Sequence, residues 1–267
     1  MKKLYLSFLA TILILPAFGQ NKDMKLRYDR PAELWVEALP LGNGRLGAMV
    51  FGNPVNDEFQ LNEETVWGGS PHNNTNPLAK DALSQIRQLI FEGKNVEAQK
   101  MSGPAICSQG ANGMPYQTVG SLHLDFDGIK DYQNYYRELD IEKATTKTTF
   151  TANGVTYTRE AITSFPDQLL IIRLTASQKN KISFTSRFTT PYKDVKRSIS
   201  DKMLRLDAKA MDHEGIEGKV RFTSLAKIDN SGGKQVVLSD STIQVTNANS
   251  VTIYVSIGTN FVNYKDV

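Results

Sequence analysis

The chain has 267 residues, 40% hydrophobic and 22% charged, which is enough to bury a large core in a soluble globular protein. Its 31 basic and 28 acidic residues are interleaved and leave a net charge of only +3, so nothing argues for a nucleic-acid partner. A single cysteine, Cys107, excludes an internal disulfide, and packing has to supply the stability.

Residues 1–19 have the form of a signal peptide. Lys2 and Lys3 make a basic start, residues 4–15 an apolar run, and Ala17-Phe18-Gly19 a small-x-small cleavage site. Cleavage after Gly19 predicts a secreted or periplasmic mature domain over residues 20–267. The apolar run is too short for a stable span and no later stretch is long enough, so no membrane span is expected.

Residues 25–28 predict a short first strand. Residues 39–71 then carry the most unusual local sequence. A Gly42-Asn43-Gly44 turn opens it, an apolar run covers 46–51, and Gly52-Asn53-Pro54 turns the chain into an alternating return strand over 58–62. The turn lacks the lysine and following helix of a phosphate loop. Glu63, Glu64, Thr65 and Trp67 lead into a Gly-Gly-Ser-Pro bend. Two adjacent carboxylates invite a glycosidase reading, but neighbours on an extended strand face opposite ways. One is expected to accept backbone or arginine hydrogen bonds while the other meets solvent. Trp67, beside two glycines, either stacks on a sugar ring or anchors the core; Trp35 is expected chiefly as a core anchor.

Asn76 caps a helix with Pro77 at its first position. Leu78, Ala82, Ile86 and Ile90 give it one apolar face, and Gly93 ends it. A second short helix is expected over 96–101, with the pair packed on a sheet. Residues 102–116 read as a long irregular loop. Cys107 lies in it with no neighbouring histidine, which argues against a nucleophile.

From Val119 the pattern is β throughout. Leu122, Leu124 and Phe126 face one way; His123, Asp125 and Asp127 face the other. The latter three share a face as metal ligands would, but without a second histidine nearby they read as a solvated surface, and no metal or other cofactor is expected. The chain's three histidines form no H-E-x-x-H pattern, and no G-x-S-x-G elbow occurs. Residues 145–152 and 155–162 flank Asn153-Gly154, a strong hairpin signal. Residues 168–175 are nearly continuously apolar, so both faces are expected to be buried. Further strands are expected over 182–189, 203–208, 219–228, 236–238, 242–246 and 251–257. About a dozen strands with short turns predict an all-β fold, a large antiparallel β-sandwich with a short helical insertion, in one domain.

Several spaced segments carry a family resemblance: LPLGNGRLGAMVFG, LNEETVWGGSP, YQTVGSLHLDF, YTREAITSFPDQLLIIRLTAS, GKVRF and IGTNFVNY, in that order. Together they resemble the N-terminal domain of glycoside hydrolase family 95, whose best-known activity is α-L-fucosidase and which also holds α-L-galactosidases. The resemblance implies a β-super-sandwich followed by a helical linker, an (α/α)6 barrel and a C-terminal β-domain. It places the inverting catalytic groups on the barrel, beyond Val267, so no catalytic residue is expected in this chain. The expected partners are that missing barrel and glycans, with Trp67 and His72 at the rim of the substrate cleft. Three functions follow: a non-catalytic front domain of an exported hydrolase, a stand-alone carbohydrate-binding module in which Tyr132, Tyr135 and Tyr136 supply a platform, or a structural β-domain.

Overall fold

The computed structural model describes residues 24–108 and 113–267. The expected signal peptide lies outside the described residues.

In chain order the strands are β1 (Lys25–Tyr28), β2 (Leu39–Gly42), β3 (Leu46–Val50) and β4 (Asn56–Glu63). Helices α1 (Ala79–Phe91) and α2 (Asn95–Ile106) follow. The remaining strands are β5 (Gly120–Asp125), β6 (Gln133–Asp140), β7 (Thr145–Ala152), β8 (Val155–Ser164), β9 (Leu169–Ala176), β10 (Ile182–Thr189), β11 (Val195–Ser200), β12 (Met203–Lys209), β13 (Arg221–Ser231), β14 (Lys234–Val237), β15 (Thr242–Ala248) and β16 (Ser250–Thr259). They form two antiparallel sheets. One has nine strands, β1-β6-β7-β8-β9-β16-β13-β12-β11, and the other seven, β14-β15-β10-β5-β4-β3-β2. The β-sandwich with a helical insertion expected from the sequence is therefore the observed fold.

The two-residue period of each strand sends alternate side chains between the sheets. Phe59 and Leu61 of β4, Leu122 and Leu124 of β5, and Phe184 and Phe188 of β10 meet Leu170, Ile172 and Leu174 of β9 and Val251, Ile253 and Val255 of β16 in one continuous cluster. Each such side chain contributes about 1.5–3 kcal/mol on burial. Asn153 and Gly154 both have positive φ, the conformation of a primed hairpin turn.

Two expectations are corrected. Strand β9 buries only one face: Leu170, Ile172 and Leu174 point inward, while Arg173 faces out and donates to Thr252 and Ser250. Its sheet has one core side and one outer side, so Leu169 and Ile171 are only half-buried. The helices pack mainly on each other rather than on a sheet. Buried Asn76 explains this. Its Oδ1 accepts from Leu78 N, while its Nδ2 donates to the carbonyls of Pro104 and Cys107, tying the start of α1 to the end of α2. Leu78, Leu83, Ile90, Phe91 and Val96 stay exposed. Helix α2 also runs on to Ile106, through residues expected as loop. Gly93 does end α1, with φ +74 and Lys94 N donating to Leu89 O.

The two ends of the sandwich differ. One is closed by turns at Asn153-Gly154, Asn247 and Gly232-Gly233. The other gathers the Gly42 turn, the Trp67 bend, the Tyr116 segment and residues 260–267, and exposes Trp67, Tyr116, Phe165, Met211, Val262 and Tyr264.

Candidate functional site

The site is built from the Gly42–Gly44 turn upward. Asn43 Oδ1 accepts from the backbone N–H groups of Arg45 and Leu46, and its Nδ2 donates to Ser164 O, 2.8 Å away at the end of β8. This aims Arg45 across the sandwich. Its Nε donates to Gln168 Oε1 and its Nη1 to Ile257 O, both at 2.7 Å, and Nη1 stands 3.4 Å from Glu63 Oε1.

Glu63 is 2% exposed. Its Oε2 accepts from Thr65 N at 2.7 Å and Thr65 Oγ1 at 2.6 Å, and Thr65 Oγ1 also meets Thr259 Oγ1 at 2.6 Å. Glu64, its neighbour, is exposed. The two carboxylates diverge as expected, one taken up by an arginine and a backbone N–H, the other in solvent. Glu63 is a positioning residue that holds the bend beyond it.

That bend is cross-braced. Gly68 N donates to Pro115 O and Gly69 N to Met211 O. Trp67 Nε1 donates to Glu64 O, and the Trp67 and Tyr116 rings sit 5.3 Å apart at 59°. Gly69 has φ +67, and any Cβ there would run into Met114 Sδ. The bend encloses a cavity of about 370 Å³ whose walls include Trp67, His72, Met114, Phe261 and Tyr264. Trp67 is 43% exposed, so it is neither buried nor free. The sequence-predicted pair Trp67 and His72 thus shares one apolar cavity, with His72 Nδ1 3.1 Å from Ser70 O. Met114, Phe261 and Tyr264 carried no local signal, because they arrive from distant segments.

Two other depressions, of about 610 and 420 Å³, lie on the nine-stranded sheet and beside it. Several of their charged lining residues are already paired, Asp194 with Arg221, Lys209 with Glu217 and Asp207 with Arg205. The apolar cavity is the stronger candidate for a ligand or a partner surface.

The remaining candidates separate. His123 Nε2 meets Thr189 Oγ1 at 2.8 Å, Asp125 pairs with Arg187 and Asn56, and Asp127 is exposed beyond the strand end, so the three do not converge on a point. Burial pushes the His123 imidazole down, helped by the Arg187 charge. Tyr135 turns inward to donate to Gly52 O, while Tyr136 donates to Glu138, so no tyrosine platform forms. Trp35 overturns its expectation as a core anchor: it is 55% exposed, with Nε1 donating to Gln60 Oε1. Its turn lies outside the sheet, where the β4 carboxamide satisfies the indole.

These features define a two-sheet β-sandwich with an apolar cavity at one end. Residues 26–264 match the family described as glycosyl hydrolase family 65, N-terminal domain, and the chain belongs to that family. It is similar to "Alpha-L-fucosidase 2" of Arabidopsis thaliana, 30% identical over 266 residues that cover 90% of this chain and 31% of the relative. It is also similar to "Probable alpha-fucosidase A" of Aspergillus oryzae, 25% identical over 237 residues, 84% of this chain and 31% of the relative. A solved structure titled "Putative kojibiose phosphorylase from human microbiome" aligns with a TM-score of 0.47 and 10% identity, covering 89% of this chain and 32% of that one. The chain therefore spans about a third of the length of the curated relatives it matches.

Proposed function

We propose that this chain is the non-catalytic N-terminal domain of an exported, inverting glycoside hydrolase of the family 95 type, whose full-length form hydrolyses α-L-fucosyl linkages in glycans. The fucosidase names of the relatives and the signal-peptide pattern of residues 1–19 support this reading. The observation that carries it lies at one end of the sandwich, where the exposed Trp67 and Tyr264 stand on the walls of an apolar cavity. Exposed aromatic side chains set around an apolar cavity are the mark of an interaction surface. In this reading the catalytic barrel docks on that end, and the Trp67–His72 bend reaches the rim of its cleft.

Two assays test the reading. Purified residues 20–267 are expected to release nothing from a chromogenic α-L-fucoside, and measurable turnover overturns the non-catalytic role. In the full-length enzyme Trp67→Ala is expected to raise KM about three- to tenfold, the scale of one lost stacking contact. An unchanged KM and unchanged stability remove the cleft-rim role.

A further inference from the structure

The outer face of the seven-stranded sheet carries a second feature, distinct from the residues that line the Trp67 cavity. Strand register aligns Glu58 of β4, His123 of β5 and Arg187 of β10 in one row across the sheet. A second row aligns Gln60, Ser121 and Thr189. The intervening residues Asp57, Phe59, Leu122, Leu124 and Ser186 point into the sandwich, so both rows lie on the outer face, where Ser121 alone of the six is buried, at 6% exposed. Each row member is already oriented by a neighbour: Ser121 Oγ donates to Glu58 at 2.6 Å, His123 meets Thr189 at 2.8 Å, and Arg187 stands 3.3 Å from Asp125.

Trp35 stands at the end of these rows. Its indole N–H is engaged by Gln60, which fixes the ring beside the polar face and leaves 55% of the residue exposed. The 3-10 turn that carries it (Trp35–Glu37) is unusually well held. Arg137, 1% exposed, donates to both Arg30 O and Glu37 O, at 2.8 Å each. The Glu37 carboxylate accepts from Glu33 N and Leu34 N and pairs with Arg30. A buried arginine thus holds the backbone on either side of the turn that carries Trp35.

We propose that this face binds an extended, neutral, β-1,4-linked oligosaccharide running across the strands from Trp35 to Arg187. The chemistry matches at each step. A rigid indole offers its apolar face to the C–H face of a pyranose. Carboxylate, carboxamide, imidazole and guanidinium groups are planar donors and acceptors that meet vicinal hydroxyl pairs. A β-1,4-linked chain is flat and advances by about 5 Å per unit, close to the strand spacing that sets the row. Groups already held in place lose little freedom on binding. The mixed signs of Glu58, Asp125 and Arg187 favour a neutral chain over an anionic one. The site is independent of the Trp67 cavity and of the proposed hydrolase identity.

The chain has two tryptophans, so an NMR spectrum carries two indole N–H signals, assigned by Trp35→Phe and Trp67→Phe. Titration of the intact chain with cellohexaose, and separately with mannohexaose, is expected to move the Trp35 signal saturably and leave the Trp67 signal in place. Arg187→Ala is expected to weaken that binding about fivefold without shifting the Trp35 signal of the free protein. Absence of any Trp35 shift with either sugar at about 10 mM overturns the proposal. So does a shift confined to Trp67. If Trp35→Ala instead turns a self-associated species into a monomer in sedimentation while neither sugar moves the signal, the turn is a protein interface and the glycan site is wrong.

Discussion

Arg159 of β8 reaches across the sandwich to Asp57 of β4, with Nη1 2.7 Å from Oδ2 and side chains 5% and 1% exposed. The guanidinium also donates to the carbonyls of Asn53 and Pro54 and lies over the Phe126 ring at 4.0 Å. Asp57 in turn accepts from Gly52 N and Glu58 N, so this one pair fixes the β3–β4 turn against the opposite sheet. Removing one partner leaves an uncompensated charge in the core. Arg159→Met is expected to cost about 3–5 kcal/mol in urea unfolding, and the double change Asp57→Leu/Arg159→Met to recover a good part of that loss. Equal stability of the single and double variants contradicts the pairing.

Glu37 gives a prediction with a definite sign. The N–H of Glu33, then the Arg30 guanidinium, hold its carboxyl down to about 2. The unfolded value is about 4.3, so the folded state binds the proton less readily than the unfolded chain. Its contribution to stability is present above about pH 4.3 and fades as pH falls through about 2. Carbon NMR of the Glu37 carboxyl is expected to show a midpoint near 2. Arg30→Ala is expected to raise that midpoint only partway, because the Glu33 N–H remains.

Legibility in the sequence followed the range of the causes. The β7–β8 hairpin was readable because Asn153-Gly154 acts locally on its own φ angles. Strand β2 is masked by Pro40 and Gly42, which read as turn residues, and edge strand β11 has only Val195 and Ile199 as apolar positions, four apart, so neither carries a clear strand signal. The periodicity of α1 reports an apolar face but not what covers it, so it does not distinguish a sheet from the α2 surface on which the helix packs. Trp35 was misjudged because its exposure depends on a carboxamide of β4 that satisfies its N–H outside the core. At the site, Trp67 and His72 stood out through the adjacent glycines and proline. The far walls, Phe261 and Tyr264, come from beyond the last strand and had no local mark.

The reach of Arg45 was equally illegible, since nothing in Gly-Asn-Gly-Arg reveals a bond to Ile257 O. It ties the Gly42 turn to Gln168 just before β9, to β16 and to Glu63 at once. Arg45→Ala is expected to destabilise the domain by about 3 kcal/mol, because Glu63 stays buried without its cation. Glu63→Gln keeps the size and one acceptor toward Thr65, and is expected to cost about 1–2 kcal/mol. Thermal unfolding of both measures the order; a larger loss for Glu63→Gln reverses the assignment of Arg45 as the hub.

Gly68 and Gly69 separate two ways in which glycine shapes the Trp67 bend. At Gly69 the backbone itself is the constraint: φ +67 is strained for alanine, and the added Cβ presses on Met114 Sδ in the cavity wall. Gly69→Ala is therefore expected to cost about 1–2 kcal/mol, and Met114→Ala in the same chain relieves the contact but not the dihedral, so recovery is incomplete. At Gly68 the φ is not of that kind. A Cβ there meets Gln117 Nε2 at 2.7 Å, the tip of a side chain whose Oε1 accepts from Met211 N at 3.0 Å. Gly68→Ala is expected to displace that tip and lose about 1 kcal/mol, the worth of one hydrogen bond. With Gln117→Ala already present, Gly68→Ala has no side-chain bond left to break, and its additional cost is expected to shrink to what the 3.2 Å approach of the Cβ to Met211 O imposes. Urea denaturation of the single and double variants decides the point, and full recovery of Gly69→Ala by Met114→Ala refutes the backbone argument.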